Sequence, residues 1–105
     1  MNKVDIVLVS YPFTNLTGSK FRPAVILYDA SQDFTACFIT TQVDKKESTD
    51  IMIKTNKING LKRDSLIRTS KIATIDKQLA IGILGSLDLS EIDELNSQLK
   101  KLLAL

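Results

Sequence analysis

The stretch Thr17-Gly18-Ser19-Lys20-Phe21-Arg22-Pro23-Ala24-Val25-Ile26-Leu27-Tyr28 joins a short polar loop directly to a run of apolar residues. That run follows Pro23, contains Val and Ile, and at about five residues has the length of a buried β-strand. Pro23 removes a backbone donor and restricts Arg22 to an extended conformation. We therefore expect Arg22 at the mouth of a core strand. A guanidinium mounted in this way suits an anionic ligand such as phosphate, whereas the structural alternative is a solvated loop-end residue.

The segments on either side of this stretch predict a hairpin of neighbouring strands. A β-branched run at residues 4–11 predicts the first strand, and residues 12–19 contain the Pro, Asn, Thr and Gly of a loop. Residues 21–28 and 34–42 are separated by a short polar turn at residues 29–33. The two runs most simply form an antiparallel hairpin.

The second half of the chain alternates between polar segments and short strand candidates. Residues 43–50 are polar and charged, which predicts a surface loop. Further strands are predicted at residues 51–53, 65–70 and 80–85, with a turn at Asn59-Gly60. Glycines within the last of these strands indicate a bulge or a close approach of another backbone.

The C-terminal segment has a different periodicity, which predicts an amphipathic helix. Ser90 is the expected N-cap, with Asp93 three residues later, and Lys100 and Lys101 lie in the last turns, where the helix dipole favours cations. The apolar stripe comprises Ile92, Leu95, Leu99, Leu102 and Leu103.

Length and composition limit the class of protein. The 105 residues suffice for a single domain, residues 1–105, and with 44% apolar and 25% charged residues the chain has the composition of a soluble globule. The net charge of +2 does not by itself indicate a nucleic-acid partner, so any such site has to be a local basic surface. No apolar run reaches a membrane span of about 18 residues, and the N-terminus lacks the apolar segment of a signal peptide, so we expect a cytoplasmic protein.

Histidine and cysteine usage limits the chemistry. The sequence contains no histidine, which excludes His-based triads, histidine acid–base pairs and most zinc sites. Its single cysteine, Cys37, cannot form an internal disulfide and is expected to be a small buried hydrophobe in a reducing compartment.

Short strands followed by one closing helix predict a mainly β fold. An SH3-like small barrel of about five to seven largely antiparallel strands, with the C-terminal amphipathic helix laid on it, fits best. A partly open meander and an OB-like barrel are the alternatives.

Four segments of the sequence resemble the PemK/MazF family of bacterial toxins, in the same order and at similar spacing. They are DIVLVSYPF (residues 5–13), TGSKFRPAVIL (17–27), FITTQ (38–42) and RDSLIRTSKIATIDK (63–77). No single segment is decisive, because Arg-Pro followed by apolar residues is common, but four segments in register are specific. The resemblance extends over nearly the whole chain, including the helix.

The resemblance implies a dimeric SH3-like barrel that is the toxin of a type II toxin–antitoxin system. Such toxins are sequence-specific endoribonucleases that cut single-stranded RNA without a metal or another cofactor. A cognate antitoxin is expected to cover the active groove with an acidic, partly disordered tail. Operator DNA would be bound only through the complex with the antitoxin. No membrane partner is implied.

The family motifs also assign roles to individual residues. By resemblance, Arg22 is the arginine that acts at the scissile phosphate, and Thr40, at the end of the second hairpin strand, is its catalytic partner. Arg68 matches an arginine that some members use at the phosphate or to handle a proton. The predicted RNA-binding residues are Ser19, Lys20, Thr41, Gln42, Lys45, Lys46, Arg68 and Ser70.

Two departures from the family pattern leave the general base unassigned. Several members have an aspartate where this chain has Ser70, and some have a histidine in the loop that here reads Gly18-Ser19-Lys20. Neither Arg nor Thr is a credible base at its ordinary pKa. Asp64, Asp76, Lys20 and the absence of any dedicated base are the open alternatives.

Each site residue also has a structural interpretation. Thr40 and Thr41 are β-formers, Arg68 suits a solvated strand face, and Asp76 suits a turn cap. Charged residues at 44–47 suit a solvated loop.

Two other functions compete with the nuclease. A related toxin family with this barrel poisons gyrase and relies on a C-terminal tryptophan, whereas this chain contains no Trp. A catalytically weakened or non-catalytic barrel that binds antitoxin or operator DNA is the other alternative. The presence of both Arg22 and Thr40 favours the nuclease.

Overall fold

The computed structural model describes residues 1–12 and 19–105. Within these residues the chain forms six strands, one α-helix and two short 3-10 turns. Side chains are described for the same residues except 11, 12 and 19. The strands are β1 Asp5–Pro12, β2 Ser19–Asp29, β3 Asp33–Thr40, β4 Asp50–Ile53, β5 Ser65–Asp76 and β6 Ala80–Ser86, the helix is α1 Leu89–Leu103, and the 3-10 turns are Val43–Lys45 and Lys77–Leu79.

All six described strands belong to one antiparallel sheet, in the order β4-β5-β3-β2-β1-β6. The predicted hairpin is confirmed as β2 and β3, with Ala24 opposite Phe38 and Asp29 opposite Phe34. The mainly β architecture with a C-terminal helix is likewise confirmed.

Alternating side chains bury apolar groups on both faces of the sheet. On one face, Ile6, Val25 and Cys37 belong to a cluster that includes residues of β4, β5 and α1. Because β1 and β4 contribute to the same cluster from different parts of the sheet, the sheet must curl around it. The neighbouring positions Val7 and Ala24 belong to a second cluster, together with Ile26, Phe34, Ala36 and Ile75.

Cys37 is buried in the first cluster, as the sequence predicts. Its thiol lies 3.9 Å from the carbonyl oxygen of Thr69, and desolvation raises the pKa of Cys37 to about 12. Since the thiolate is the reactive form, this cysteine is a packing residue rather than a nucleophile.

Helix α1 begins two residues earlier than the sequence pattern suggests. The N-cap is Asp88, whose carboxylate accepts the backbone N–H of Glu91 at 2.9 Å, while Glu91 Oε1 accepts the backbone N–H of Asp88 at 2.9 Å. The predicted cap at Ser90 with Asp93 is therefore wrong, because Asp88 and Glu91 form the full capping box. Ser90 donates its hydroxyl to Asp88, and the Glu91 N–H and this hydroxyl lower the pKa of Asp88.

The apolar stripe of α1 packs on the first cluster through its central part. Leu95 is fully buried, and Ile92 and Leu99 pack beside it. Leu102 is half-buried, but Leu103 is 54% exposed, so the predicted stripe leaves the core in the last turn.

Several strand boundaries differ from those predicted. β5 continues to Asp76 instead of ending at residue 70, and β3 ends at Thr40, so Thr41 and Gln42 lie beyond it. Pro12 and Ser19 belong to strands, and the rest of the predicted loop, residues 13–18, lies outside the described residues. Within the described part of the chain, no helix has the length and hydrophobicity that a membrane span requires.

The glycine signal in the last strand reflects a close backbone approach. A Cβ on Gly85 would overlap the carbonyl oxygen of Ile58, and the Ser86 N–H donates to that same oxygen at 3.0 Å. The pairing of β1 with β6 also shifts register between Ile6 and Val7, next to Gly85. Both parts of the expectation are thus confirmed.

Replacement of Leu95 by Ala is expected to destabilise the fold by about 2–5 kcal/mol, because it leaves a cavity between α1 and the sheet. The matched Leu103→Ala change removes the same atoms from an exposed position of the same helix and should cost well under about 1 kcal/mol. Urea unfolding followed by circular dichroism measures both. Equal losses in the two variants would contradict the packing described here.

Candidate functional site

The β2–β3 hairpin brings Arg22 and Thr40 to the same end of the sheet. Ala24 is opposite Phe38, Arg22 lies two residues before Ala24, and Thr40 lies two residues after Phe38. Since side chains alternate with a period of two, Arg22 and Thr40 share one face with Ala24 and Phe38. The two residues that the sequence singles out as a catalytic pair are therefore neighbours.

Thr40 is held in one orientation by the turn that follows β3. Its Oγ1 accepts the backbone N–H of Gln42 at 3.2 Å, and the residue is only 9% exposed. A threonine hydroxyl both accepts and donates, so its hydrogen can be given to an oxygen in the cleft.

A bulge in β5 adds further cations to this end of the sheet. Between two pairs of the ladder, Cys37 with Ile72 and Ile39 with Ile67, β3 advances by two residues and β5 by five. Four residues of β5, 68–71, therefore lie opposite the single residue Phe38, three more than in a regular ladder. Such a bulge changes the direction of the side chains relative to a regular strand.

Arg22, Thr40 and the bulge together line a cleft of about 330 Å³, called here the arginine cleft. Its lining residues are Arg22, Phe38, Ile39, Thr40, Gln42, Arg68 and Lys71. Three of these carry positive charge, and none carries negative charge. In a chain with a net charge of only +2, the described residues thus include one concentrated basic site.

A smaller side cleft of about 220 Å³ adjoins the arginine cleft and shares Arg22, Ile39 and Thr40 with it. Lys20, Phe21, Pro23 and Thr41 complete its lining. Phe21 is 62% exposed, which is unusual for an aromatic side chain. A cation and an exposed ring therefore lie on the same strand as Arg22.

Two carboxylates contact Arg68 at the edge of the arginine cleft. Arg68 Nη2 lies 3.4 Å from Asp50 Oδ2 and 3.5 Å from Glu47 Oε1. The Asp50 side chain is completely buried, that of Arg68 is 19% exposed, and that of Glu47 is 64% exposed. Arg68 thus has one buried and one solvated counter-ion.

The structure does not bring every predicted binding residue into the two clefts. Lys45 and Lys46 are exposed in and after the 3-10 turn, and Ser70 is exposed on β5, but none of the three lines either cleft. Ser19 begins β2, and its side chain is outside the described part. The remaining predictions, Lys20, Thr41, Gln42 and Arg68, all line one of the clefts.

The aspartates considered as general bases are engaged elsewhere. Asp64 accepts the backbone N–H of Thr55 at 2.9 Å, and Asp76 accepts that of Gln78 at 2.8 Å as the cap of the second 3-10 turn. Neither lines the arginine cleft or the side cleft, and the turn-cap interpretation of Asp76 is confirmed.

Four residues escape sequence reasoning: three that line the clefts and Asp50, which contacts Arg68 from outside them. Lys71 reaches the arginine cleft only through the bulge of β5. Asp50 reaches Arg68 only through the pairing of β4 with β5. No local sequence pattern encodes either arrangement. Phe38 looks like an ordinary core residue of β3. For Phe21 alone the sequence carries a signal, because an aromatic residue lies between a lysine and an arginine.

A third, apolar cleft of about 430 Å³ lies beside the side cleft and shares Pro23 and Thr41 with it. Leu8, Leu61 and Leu84 supply apolar lining, and the exposed Lys62 and Arg63 add positive charge.

Comparison with known families and structures gives one consistent result. The model of the family described as PemK-like, MazF-like toxin of type II toxin-antitoxin system matches residues 2–103. A search of curated protein sequences finds no match to the chain.

Three of the solved structures that this fold resembles illustrate the likeness. One is the Mycobacterium tuberculosis toxin MazF-mt6, with a TM-score of 0.78, 22% identity, and coverage of 96% of this chain and 97% of that one. Another is MazF (Form-I) from Deinococcus radiodurans, with a TM-score of 0.78, 16% identity, and coverage of 100% and 97%. A third, an endoribonuclease in complex with its cognate antitoxin from Mycobacterial species, has a TM-score of 0.78, 15% identity, and coverage of 100% and 96%.

Proposed function

The chain belongs to the PemK/MazF family of type II toxin–antitoxin toxins, known as endoribonucleases, and from this premise we propose that it is itself a sequence-specific endoribonuclease. Its proposed substrate is single-stranded RNA, which it cuts without a metal, leaving a 2′,3′-cyclic phosphate and a 5′-hydroxyl. Such a substrate would place the activity in the cytoplasm, where messenger RNA is translated.

The observation that supports this proposal is the convergence of Arg22, Thr40 and Arg68 on one cleft from three strands. RNA cleavage of this kind begins when the ribose 2′-oxygen attacks the adjacent phosphorus. The bond from phosphorus to the 5′-oxygen then breaks, the 2′-proton is lost, and the leaving oxygen gains a proton. Negative charge increases on the phosphoryl oxygens in the transition state, and guanidinium groups stabilise that charge.

Each cleft residue has a defined task in this scheme. Arg22 and Arg68 contact the phosphoryl oxygens, because guanidinium matches phosphate geometry with paired donors. Thr40 donates its hydroxyl to the same oxygens or holds the 2′-hydroxyl in line with the leaving group. Lys71, and Lys20 in the side cleft, attract the neighbouring phosphates of the strand.

We infer that the partner protein is an acidic antitoxin. Three features support this: the basic clefts, the cations beside the apolar cleft, and the fact that one similar structure is an endoribonuclease in complex with its cognate antitoxin. An acidic segment with apolar side chains would match this combination of surfaces. Operator DNA would be bound by the resulting complex and not by this protein alone.

We also infer a homodimer, with β6 at its interface. β6 is an edge of the described sheet, and its residues Ile81 and Ile83 are 58% and 56% exposed. An edge strand with exposed apolar side chains is generally covered by a partner.

The first prediction concerns Arg22. Arg22→Ala should lower the cleavage rate by about 10²–10³, because it removes a donor to the transition-state charge. Primer extension on a long, weakly structured RNA in EDTA measures the cuts and reveals the recognition sequence. The charge-matched control is Lys101→Ala at the exposed end of α1, which should cut like the wild type. A folded wild-type protein that makes no cuts, or an Arg22→Ala variant that cuts normally, would refute the proposed function.

The second prediction concerns Phe21. Phe21→Ala should weaken RNA binding by roughly 5- to 150-fold, since stacking of a base on an aromatic ring is worth about 1–3 kcal/mol. Fluorescence anisotropy with an oligonucleotide that is 2′-deoxy at the cleavage position measures affinity without cleavage. Tyr28→Ala is the matched control, because Tyr28 is 65% exposed on the same strand but lines neither basic cleft. Equal effects of the two changes would exclude a specific role for Phe21.

The third prediction concerns the dimer. Light scattering during size-exclusion chromatography should give about twice the chain mass of 11.7 kDa for the wild type. Ile83→Lys should shift the protein to the monomer, whereas Met52→Lys, which changes a 41% exposed residue on the opposite edge strand, should not. A monomeric wild type would contradict the inference, and the reverse pattern would move the interface to β4.

A further inference from the structure

We propose that Asp50 is a positioning residue that holds the guanidinium of Arg68 in the arginine cleft, a proposal that rests on the function proposed above. Asp50 does not line the cleft and would not touch the RNA. Its effect on cleavage would therefore pass entirely through Arg68.

The two residues face each other on adjacent strands. Asp50 of β4 and Arg68 of β5 are register partners, and Asp50 Oδ2 lies 3.4 Å from Arg68 Nη2. Arg68 opens the bulge of β5, where regular pairing with β3 is lost. The backbone of Arg68 is therefore paired with β4 and not with β3, and the ion pair adds a side-chain contact on the β4 side.

The carboxylate of Asp50 is itself rigidly held. Oδ2 accepts the backbone N–H of Glu47 at 2.9 Å, and the Asp50 N–H donates to the Glu47 carbonyl oxygen at 3.0 Å. This reciprocal pair connects the loop before β4 to the strand. Thr69, next to Arg68, donates its hydroxyl to the carbonyl oxygen of Thr49, so the two strands are joined on both sides of the ion pair.

Stability alone does not account for this ion pair. A buried carboxylate loses its hydration, and attraction to a partner compensates fully only when the geometry is good and every remaining atom is hydrogen-bonded. Here the contact is longer than the roughly 2.7–2.9 Å of a strong charge-assisted bond, and Asp50 Oδ1 has no hydrogen-bond partner among the described residues. An arrangement that is poor for stability but fixes a cation beside a cleft points to a role in function.

The two carboxylates engage one of the three nitrogens of the Arg68 guanidinium. While Nη2 faces the two carboxylates, the buried Nε has no hydrogen-bond partner within the described part of the chain. A guanidinium held at one edge can still offer its other donors to phosphate.

Glu47 provides a matched comparison for Asp50. Its carboxylate lies 3.5 Å from the same Nη2 atom, but it is 64% exposed where Asp50 is fully buried. A solvated carboxylate on a flexible side chain exchanges readily with water and fixes little. The proposal therefore assigns the positioning to Asp50 and not to negative charge in general.

The kinetic test is a double-mutant cycle of Asp50→Asn and Arg68→Ala, measured as kcat and KM on an RNA oligonucleotide containing the recognition sequence. Asp50→Asn should lower kcat by about 10- to 100-fold, because a small displacement of a catalytic group has an effect of that order. In the Arg68→Ala background the same change should have almost no effect. Glu47→Gln should lower kcat by no more than about fivefold, the range of an exposed ion pair.

A structural test does not depend on catalysis. The Nε–Hε resonance of Arg68 in a ¹⁵N spectrum, identified by its loss in Arg68→Ala, reports whether the guanidinium is held. Asp50→Asn should shift this resonance and accelerate its exchange with water, while Glu47→Gln should leave it nearly in place. Circular dichroism and urea unfolding confirm that each variant is folded.

Each outcome decides the proposal. Two outcomes, each with a wild type that cuts RNA, would show that the positioning role is wrong while the nuclease stands. In the first, Asp50→Asn cuts as well as the wild type. In the second, Asp50→Asn lowers activity by the same factor in the Arg68→Ala background as in the wild type. If the wild type cuts nothing, the proposed function fails, and the Arg68 resonance alone decides whether Asp50 holds the guanidinium. If Asp50→Asn does not fold, the same measurements are made on Asp50→Glu, which keeps the negative charge. Loss of folding in both would make Asp50 a structural residue and overturn the proposal.

Discussion

The alternation of side chains along the paired parts of β2 and β3 is the constraint on which both the core and the site depend. Ala24 and Ile26 on β2, and Phe34 and Ala36 on β3, fill the second apolar cluster from one face of the hairpin. The same period, continued past the end of the cluster, leads to Arg22 and Thr40. A slip of one residue in this pairing would turn the core residues out of the cluster and the polar pair out of the cleft together. Packing energy therefore enforces the geometry of the site.

The bulge of β5 interrupts the regular sheet next to the candidate site. A continuous ladder would bury the face of β5 opposite Phe38, but the three extra residues widen the sheet there and direct Arg68 and Lys71 into the cleft. Regularity is restored immediately beyond it, where Cys37 pairs with Ile72 and remains buried. The local loss of backbone pairing thus brings cations to the cleft while the adjacent apolar core remains buried.

Much of the fold follows from local sequence patterns, because most of its elements are amphipathic or fully apolar. The hairpin, the short strand β4 and the closing helix were all predicted, as were Arg22 and Thr40 at one end of the hairpin. The errors arise where the decisive contact is non-local or where two patterns compete. Ser90 is a good N-cap residue, but Asp88 with Glu91 makes the full reciprocal box two residues earlier. The apolar stripe extends in sequence to Leu103, although Leu103 is largely exposed in the structure.

The site shows the same division between local and non-local information. Two residues after Arg68, where the family resemblance leads one to expect an aspartate, this chain has Ser70. Its buried carboxylate partner, Asp50, comes instead from β4, through a pairing between strands separated by an 11-residue connection that no periodicity encodes. Lys71 reaches the cleft only because of the bulge. Arg22 and Thr40 could be identified from local patterns, whereas Asp50 and Lys71 were missed because their position depends on a partner strand.

The placement of the carboxylates bears on the unassigned proton acceptor. Asp64 and Asp76 hold backbone N–H groups away from the clefts, and the two carboxylates nearest the arginine cleft both face Arg68. Among the described residues that line the arginine cleft, every charged residue is a cation. Such a site is better suited to stabilising negative charge on a phosphate than to removing a proton from a hydroxyl. In this chemistry, positioning and charge stabilisation would supply most of the rate enhancement, and the accuracy with which Arg68 is held would become a main determinant of activity.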